Sequence, residues 1–284
     1  MLSEQKDIVV SSWAELQDRL YEGTWNEEIQ RFRSSMAYRG LSDASYSLKT
    51  SLIRLGGNYA RLENNLLRNF RKYAHREVVP VDSVWNWLAT AQHHGLPTRM
   101  LDWTFSPYIA LHFTTANMER YEADGAIWCV DYIRAHQFLP PTLRDLLARE
   151  GSNLITAEVL GRCVTSLADL DAMAAEPFVV FFEPPSLDER IVNQYALFTL
   201  LSNSSALLDD WLKEHPDVYK RVVIPAKLKW EIRDKLDQAN ITERVLFPGL
   251  DGLSRWLTRH YSPRDSDRSG DPSVRVEGPK VEQR

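Results

Sequence analysis

The sequence predicts an α+β fold in which N-terminal helices pack on a mixed, mainly antiparallel sheet. Helical periodicity dominates the first half of the chain, whereas short β-rich runs dominate the second. The predicted helices and strands do not alternate in the strict βαβ order of a parallel sheet. With 284 residues, 44% of them hydrophobic and 26% charged, the composition is typical of a globular domain and excludes a fibrous or wholly disordered chain.

Helix signals identify the elements of the first half. A capping-box pattern, Ser12-Trp13-Ala14-Glu15, predicts a helix over residues 12–21. A longer amphipathic helix with a basic outer face follows over about residues 61–76, and another over 83–94 ends before Gly95. Ser106-Pro107 has the pattern of an N-cap followed by proline at the first helical position.

Strand signals are sparse in the first half and frequent in the second. Residues 35–40 read as a short strand that glycine ends, and residues 47–54 as extended or irregular chain. In the second half the predicted strands cover residues 125–131, 177–182, 195–201 and 221–225, with helices at 143–149 and 226–238.

Composition and cysteine usage limit the classes of function. The net charge of −5 argues against a general nucleic-acid binder. Cys129 and Cys163 show no disulfide or zinc spacing, which indicates a reducing, cytoplasmic compartment. No apolar run approaches the length of a membrane span, and the first ten residues lack the apolar core of a signal peptide. Residues 262–284 have the composition of a disordered tail.

Five motifs occur in order along the chain and carry a family resemblance. They are Tyr38-Arg39-Gly40, the segment from Gln92 to Phe113, Gly125-Ala126-Ile127-Trp128, Arg190-Ile191 with Gln194, and Leu246-Phe247-Pro248-Gly249-Leu250. Together they resemble the FRG-domain family over about residues 12–258. The resemblance implies one domain over residues 1–261. Tyr195 departs from it, since the family often has glycine there, and so does His112, where another aromatic residue is usual.

A weaker similarity connects the same motifs with ADP-ribosyltransferases of the arginine-serine-glutamate type. That class has an aromatic-Arg-Gly strand, a Ser-Thr-Ser strand that leads into a helix, and a third motif with a catalytic glutamate. Here Arg39 corresponds to the first motif and Thr104-Phe105-Ser106 to the second. Gln194 stands at the third in place of an acid. The similarity implies a split sheet and a pocket with NAD as its substrate; no resident cofactor is implied.

The chemistry of glycosidic cleavage in NAD suggests roles for these residues. The oxocarbenium-like centre needs an acidic or strongly accepting group near the ribose, and the pyrophosphate needs a cation. Arg39, Asp102 and Gln194 are therefore the predicted catalytic residues. No metal site is expected, because the adjacent His93 and His94 diverge by about 100° around a helix. The predicted substrate-binding residues are Tyr38, Gly40, Gln92, His93, Thr98, Arg99, Thr104, Ser106 and Arg190.

Structural interpretations of the same residues stay open. Arg39 can be a structural arginine paired with Asp102, and Ser106 can be a plain helix cap. At the level of function, the alternatives to an ADP-ribosyltransferase-like enzyme or NAD glycohydrolase are a non-catalytic ligand-sensing or protein-interaction module and a nucleic-acid-targeting effector in a bacterial toxin or phage-defence system. The sequence specifies no macromolecular acceptor. The positions of four residues distinguish a functional site from a structural motif. A site is indicated if one cavity is lined by Arg39, Asp102, Ser106 and Gln194. A structural motif is indicated if Arg39 and Asp102 form a closed, buried pair with no cavity beside them.

Overall fold

A computed structural model of the chain describes residues 7–74, 79, 81–186 and 188–263. Within them one eight-stranded sheet has the order β1-β10-β6-β4-β5-β9-β8-β7, and the predicted α+β class is confirmed. Its strands are β1 (Ile8–Val9), β4 (Met36–Leu41), β5 (Met100–Thr104), β6 (Gly125–Asp131), β7 (Ile155–Thr156), β8 (Val179–Glu183), β9 (Ala196–Leu201) and β10 (Tyr219–Ile224). A separate antiparallel pair joins β2 (Trp25–Asn26) to β3 (Arg31–Phe32).

Helices precede, connect and follow these strands. In the first half they are α1 (Trp13–Tyr21), α2 (Ser51–Leu55), α3 (Tyr59–Tyr73), α4 (Val84–His93) and α5 (Pro107–Thr115). In the second half they are α6 (Tyr132–Ala135), α7 (Pro141–Glu150), α8 (Ala157–Gly161), α9 (Leu167–Asp171), α10 (Glu189–Asn193), α11 (Leu208–Glu214), α12 (Lys229–Gln238), α13 (Glu243–Leu246) and α14 (Leu250–His260).

The predicted caps explain where the helices begin. The hydroxyl of Ser12 accepts from the amide of Glu15 at 3.2 Å, and that of Ser106 accepts from the amide of Ile109 at 3.4 Å. Gly95, which follows α4, adopts φ 82°, the left-handed conformation that favours glycine. These local signals therefore predicted the starts of α1 and α5 and the end of α4 correctly.

Two expectations about the first half were wrong. Residues 47–54 were expected to be extended or irregular, but Ser51–Leu55 forms α2, where the hydroxyl of Thr50 accepts from the amide of Ile53 at 3.2 Å. A side-chain cap thus starts a helix too short to show periodicity. The division into helices in front and strands behind also fails, because β4 and β5 occupy the centre of the sheet.

The sheet is split between β4 and β5. Its internal pairings are antiparallel, and only the edge strands β1 and β7 pair in parallel within the described residues. β4 pairs with β6 along its whole length, from Met36 to Leu41. Across the split, by contrast, the described register contains a single pair, Tyr38 opposite Thr104. The strands therefore diverge there and leave room for side chains between them.

Different helices cover the two halves of the sheet. Buried residues of α1, α5 and α12 pack on β4, β6 and β10, whereas those of α4, α7, α8 and α9 pack on β5, β8 and β9. A third cluster, which includes Trp103, Phe181 and Leu197, joins both halves on the opposite face. The split therefore lies between α4 and α5, with a continuous core behind it.

Glycine at position 40 lets α5 lie directly on β4. A Cβ atom at Gly40 would stand 1.9 Å from the carbonyl oxygen of Ala110 and 2.6 Å from the hydroxyl of Thr114. No side chain fits in that space. The Tyr-Arg-Gly triplet therefore sets the distance between helix and strand beside the split.

Some predictions fall outside the described residues. Of the predicted tail, residues 264–284 lie beyond them, and so does Arg76 at the end of the predicted basic helix. Among the helices that are described, none combines the length and apolar character needed to cross a membrane.

Candidate functional site

A cavity of about 530 Å³ lies at the split. This volume is within the range typical of small-molecule sites. β4, β5, the end of α4 and the α10–β9 segment all contribute to its walls. The predicted site residues that line it are Tyr38, Arg39, Gly40, Gln92, His93, Asp102, Thr104, Arg190 and Gln194.

Arg39 is a cation that pairs with no carboxylate in the described part of the chain. Its guanidinium donates to the main-chain carbonyl of Asp102, and its buried Nε has no hydrogen-bond partner. Arg39 forms no ion pair with any residue that the structure describes. Burial lowers the pKa of Arg39, Asp102 opposes this effect, and Arg54 adds to it. Arginine stays charged at neutral pH, so this half-buried side chain brings a partly desolvated positive charge to the cavity.

Asp102 is a residue of β5 that lines the cavity. The side chain is exposed, and one oxygen accepts from the amide nitrogen of Gln92 at 3.0 Å. The hydroxyl of Thr98 bonds in turn to the side-chain oxygen of Gln92. Thr98 does not line the cavity; it fixes Gln92, and Gln92 orients the carboxylate.

Two further arginines increase the positive charge of the cavity. Arg54, at the end of α2, is exposed and lines the wall. Arg190 donates to the carbonyl of His93 at 3.3 Å and stacks over the ring of Phe247 at 5.1 Å. Arg54 is a site residue that the sequence did not predict, because residues 47–54 were expected to be extended or irregular. The cation-rich wall is therefore more extensive than the motifs indicated.

His93 lies at the end of α4 and bonds to a carboxylate. Its Nε2 is 2.6 Å from Oδ2 of Asp188, the N-cap residue of α10. Burial lowers the pKa of His93, although the hydrogen bond with Asp188 opposes that effect. His94 also lines the cavity. Among the described residues, no group of three His, Cys, Asp or Glu side chains could hold a metal ion.

Gln194 and the second motif are tied together behind the cavity. The hydroxyl of Thr104 donates to the main-chain carbonyl of Gln194 at 2.8 Å and accepts from the amide of Ser106 at 3.1 Å. The amide nitrogen of Gln194 donates to the carbonyl of Leu246 at 2.9 Å. Ser106 caps α5 and is not among the lining residues. The structure therefore brings Arg39, Asp102 and Gln194 to one cavity and leaves Ser106 outside it.

Tyr38 borders the cavity, but its hydroxyl is engaged elsewhere. The side chain is buried, and the hydroxyl donates to the carbonyl of Leu20 at 3.3 Å and bonds to Ser34 at 3.2 Å. Burial raises the pKa of Tyr38 to about 12. The phenol is thus held as a neutral part of the wall.

Arg99 lies away from the cavity in a buried ionic cluster. Only 3% of its side chain is exposed, and Nε donates to both carboxylate oxygens of Glu63 at 2.9 Å. A second carboxylate, that of Asp171, also bonds to the guanidinium. Both charges come from elements distant in the sequence, α3 and α9. In this position Arg99 ties the helices behind β5 to one another.

The class defined by this geometry is an α+β domain with an arginine-lined cavity in a split sheet. Comparison with protein families matches residues 34–123 to the FRG domain. The matched range contains Tyr38-Arg39-Gly40 and the whole segment from Gln92 to Phe113, so the chain contains an FRG domain over residues 34–123. No curated protein and no solved structure matches it. The similarity to ADP-ribosyltransferases is not shown by these comparisons and stays a prediction.

Proposed function

We propose that the cavity binds a pyrophosphate-bearing nucleotide, with NAD as substrate, and that the protein breaks the bond between nicotinamide and ribose. The observation that carries this proposal is the state of Arg39. Its side chain is half-buried, and its Nε is buried without a hydrogen-bond partner. A partly desolvated charge that forms no ion pair is costly unless an anion compensates it. The planar fork of the guanidinium suits the two oxygens of a phosphate.

The balance of charge along the wall supports a polyanionic ligand. Arg54 and Arg190 line the cavity together with Arg39, whereas Asp102 is the one carboxylate among the described lining residues. Two phosphate groups would compensate the surplus of positive charge. The aromatic side chain of Phe113, which also lines the wall, offers a surface against which a planar base can pack.

The position of Asp102 fits the demands of glycosidic cleavage. Positive charge develops on the ribose as the bond to nicotinamide lengthens, and a nearby carboxylate stabilises it. Gln92 fixes the orientation of this carboxylate through a 3.0 Å hydrogen bond. A neutral Gln194 orients ribose hydroxyls but cannot balance charge.

A non-catalytic ligand sensor is the second candidate function. The glutamine at position 194, in place of the acid expected in the third motif, favours it. The nucleic-acid alternative has less support, because the basic residues of α3, such as Arg61 and Arg68, are exposed and do not line the cavity.

Calorimetric titration with NAD and with ADP-ribose, followed by an assay for nicotinamide release, tests the proposal. We expect Arg39→Met to weaken ADP-ribose binding by about 10- to 100-fold, the usual value of charge-assisted hydrogen bonds. The matched control is Arg149→Met, an exposed arginine of α7 outside the cavity, which should bind as the wild type does.

The outcomes separate the two candidates. A wild-type protein that binds neither NAD nor ADP-ribose would show the proposal to be wrong. Binding that stabilises the protein without release of nicotinamide would identify the sensor instead.

A further inference from the structure

The two oxygens of Asp188 perform different tasks. Oδ1 accepts from the amide of Ile191 at 3.0 Å and caps α10, while Oδ2 lies 2.6 Å from Nε2 of His93. The imidazole is therefore held by a carboxylate that is itself fixed to a helix start. This is the arrangement of a base and its orienting group.

The protonation state of His93 follows from these contacts. Burial raises the pKa of Asp188, but the hydrogen bonds from Ile191 and His93 outweigh burial and lower it. An ionised carboxylate only accepts, so Nε2 of His93 carries the proton. Burial and the nearby Arg190 and His94 favour the neutral imidazole, against the opposing effect of Asp188. Nδ1 is therefore a free lone pair at neutral pH.

Nδ1 has no protein partner in the described part of the chain, where the hydrogen bonds of His93 beyond its own helix involve Nε2 and the main-chain carbonyl. His93 lines the same cavity as Asp102 and Gln194. A residue of the cavity wall thus carries a basic nitrogen without a protein partner among the described residues, while the position of the missing third-motif acid offers an amide. An amide cannot accept a proton at neutral pH, whereas an imidazole can.

We propose that His93, oriented by Asp188, is the general base of the cavity; this rests on the proposed function. As water attacks C1′ of the ribose, Nδ1 of His93 takes one proton from it. The bond between C1′ and the nicotinamide nitrogen breaks, and its electron pair neutralises the pyridinium. ADP-ribose and nicotinamide result, and the imidazolium returns its proton to solvent. Transfer to an acceptor hydroxyl follows the same proton path.

The competing interpretation is that the pair only joins α4 to α10. A purely structural pair would change stability and binding when broken, but not the pH dependence of the rate. The tests therefore combine ADP-ribose affinity with the pH profile of nicotinamide release. The variant His93→Gln retains a side-chain amide that can donate to Asp188, which limits structural damage.

We expect His93→Gln to bind ADP-ribose within about threefold of the wild type, while nicotinamide release falls by roughly 10²- to 10⁴-fold. The wild-type rate should fall as acid protonates His93, and this limb should be absent from His93→Gln. Asp188→Asn should bind ADP-ribose and show a smaller loss of rate. The control His260→Gln, an exposed histidine of α14, should match the wild type.

Each other outcome overturns the assignment. If His93→Gln keeps both the rate and its acid limb, His93 is not the base, although the nucleotide site stands. If the wild type binds NAD but releases no nicotinamide, the assignment of His93 as general base is again wrong and the site is a sensor. If it binds neither NAD nor ADP-ribose, both proposals fail together.

Discussion

Arg39 reaches across the split in the sheet to the main-chain carbonyl of Asp102 and leaves the carboxylate of Asp102 to Gln92. The two residues are in contact, but they do not neutralise each other. In a structural ion pair, the two side chains would have closed the split and neutralised each other's charge. The observed contact instead fixes the guanidinium while the wall of the cavity keeps a cation and a carboxylate.

This geometry predicts that the carboxylate of Asp102 matters for chemistry and little for stability. Asp102→Asn preserves the main-chain carbonyl that Arg39 uses and an oxygen that Gln92 can reach. We expect its free energy of unfolding to change by less than about 1 kcal/mol, as urea denaturation would measure. Nicotinamide release should decrease at least tenfold. A loss of stability above 2 kcal/mol with unchanged release would show that the carboxylate is structural.

The contact between Gly40 and α5 predicts a destabilising substitution beside the cavity. In Gly40→Ala the new methyl group would overlap the carbonyl of Ala110, so helix and strand must separate. We expect a loss of roughly 1–3 kcal/mol in the free energy of unfolding and weaker ADP-ribose binding, since β4 carries Arg39.

Gly161→Ala is the matched control for that substitution. A Cβ atom there meets only Trp85 at an ordinary 3.8 Å within 4 Å among the described residues, and Gly161 ends α8. Alanine should be neutral or stabilise the helix by up to about 1 kcal/mol. Equal effects of the two substitutions would contradict the overlap at Gly40.

The parts of the fold that follow from local chemistry were predictable from the sequence. Ser12, Ser83 and Ser106 each cap a helix where the pattern placed one, because capping involves residues three positions apart. The strand order was not predictable, since it depends on pairings between distant segments. β5 pairs with β9 almost a hundred residues away, and no local pattern specifies that register.

The same distinction applies to the candidate site. Arg39, Gln92, Asp102 and Gln194 come from motifs and meet at one cavity. Arg99 comes from the same motif, yet it turns to Glu63 of α3, 36 positions earlier in the chain. Which arginine of a motif faces a cavity depends on carboxylates supplied by other elements, and the sequence alone does not reveal them.

Because His136 is buried in its neutral form, we expect the protein to lose stability in mild acid. Nδ1 of His136 bonds to the carbonyl of Asn153 at 2.9 Å, and its Nε2 accepts from the amide of Phe181 at 2.8 Å. Only the neutral ring makes both bonds, and burial lowers the pKa of His136 to about 4. The unfolded ring has a pKa near 6.5, so between these values the unfolded state binds more protons. Stability is therefore complete above pH 6.5 and decreases as the pH falls towards 4.

The magnitude of this effect can be measured by urea denaturation at pH 7 and pH 5. His136 should contribute on the order of 2 kcal/mol to the difference. His112, whose pKa is lowered to about 4 by burial and by Arg233, should contribute in the same direction. In His136→Gln the difference should shrink, whereas in His260→Gln it should stay the same. A wild-type stability that does not change between these pH values would contradict both assignments.

Tyr195 occupies a backbone conformation that glycine adopts more easily. Its φ is 46°, in the left-handed region, and its carbonyl accepts from the amide of Phe105 at 3.1 Å. Its exposed ring stands 4.9 Å from the ring of Phe105. Tyr195, at a position where the resemblance predicts glycine, therefore combines a backbone cost with an aromatic contact.

Comparing Tyr195→Gly with Tyr195→Ala separates these two contributions. Both variants lose the contact with Phe105, but only alanine keeps a Cβ atom at positive φ. The glycine variant should therefore be more stable than the alanine variant by about 1 kcal/mol, as paired urea denaturation curves would show. If the alanine variant were equally stable or more so, the backbone cost at position 195 would be no larger than the conformational entropy that glycine loses on folding, and the expected strain would be contradicted.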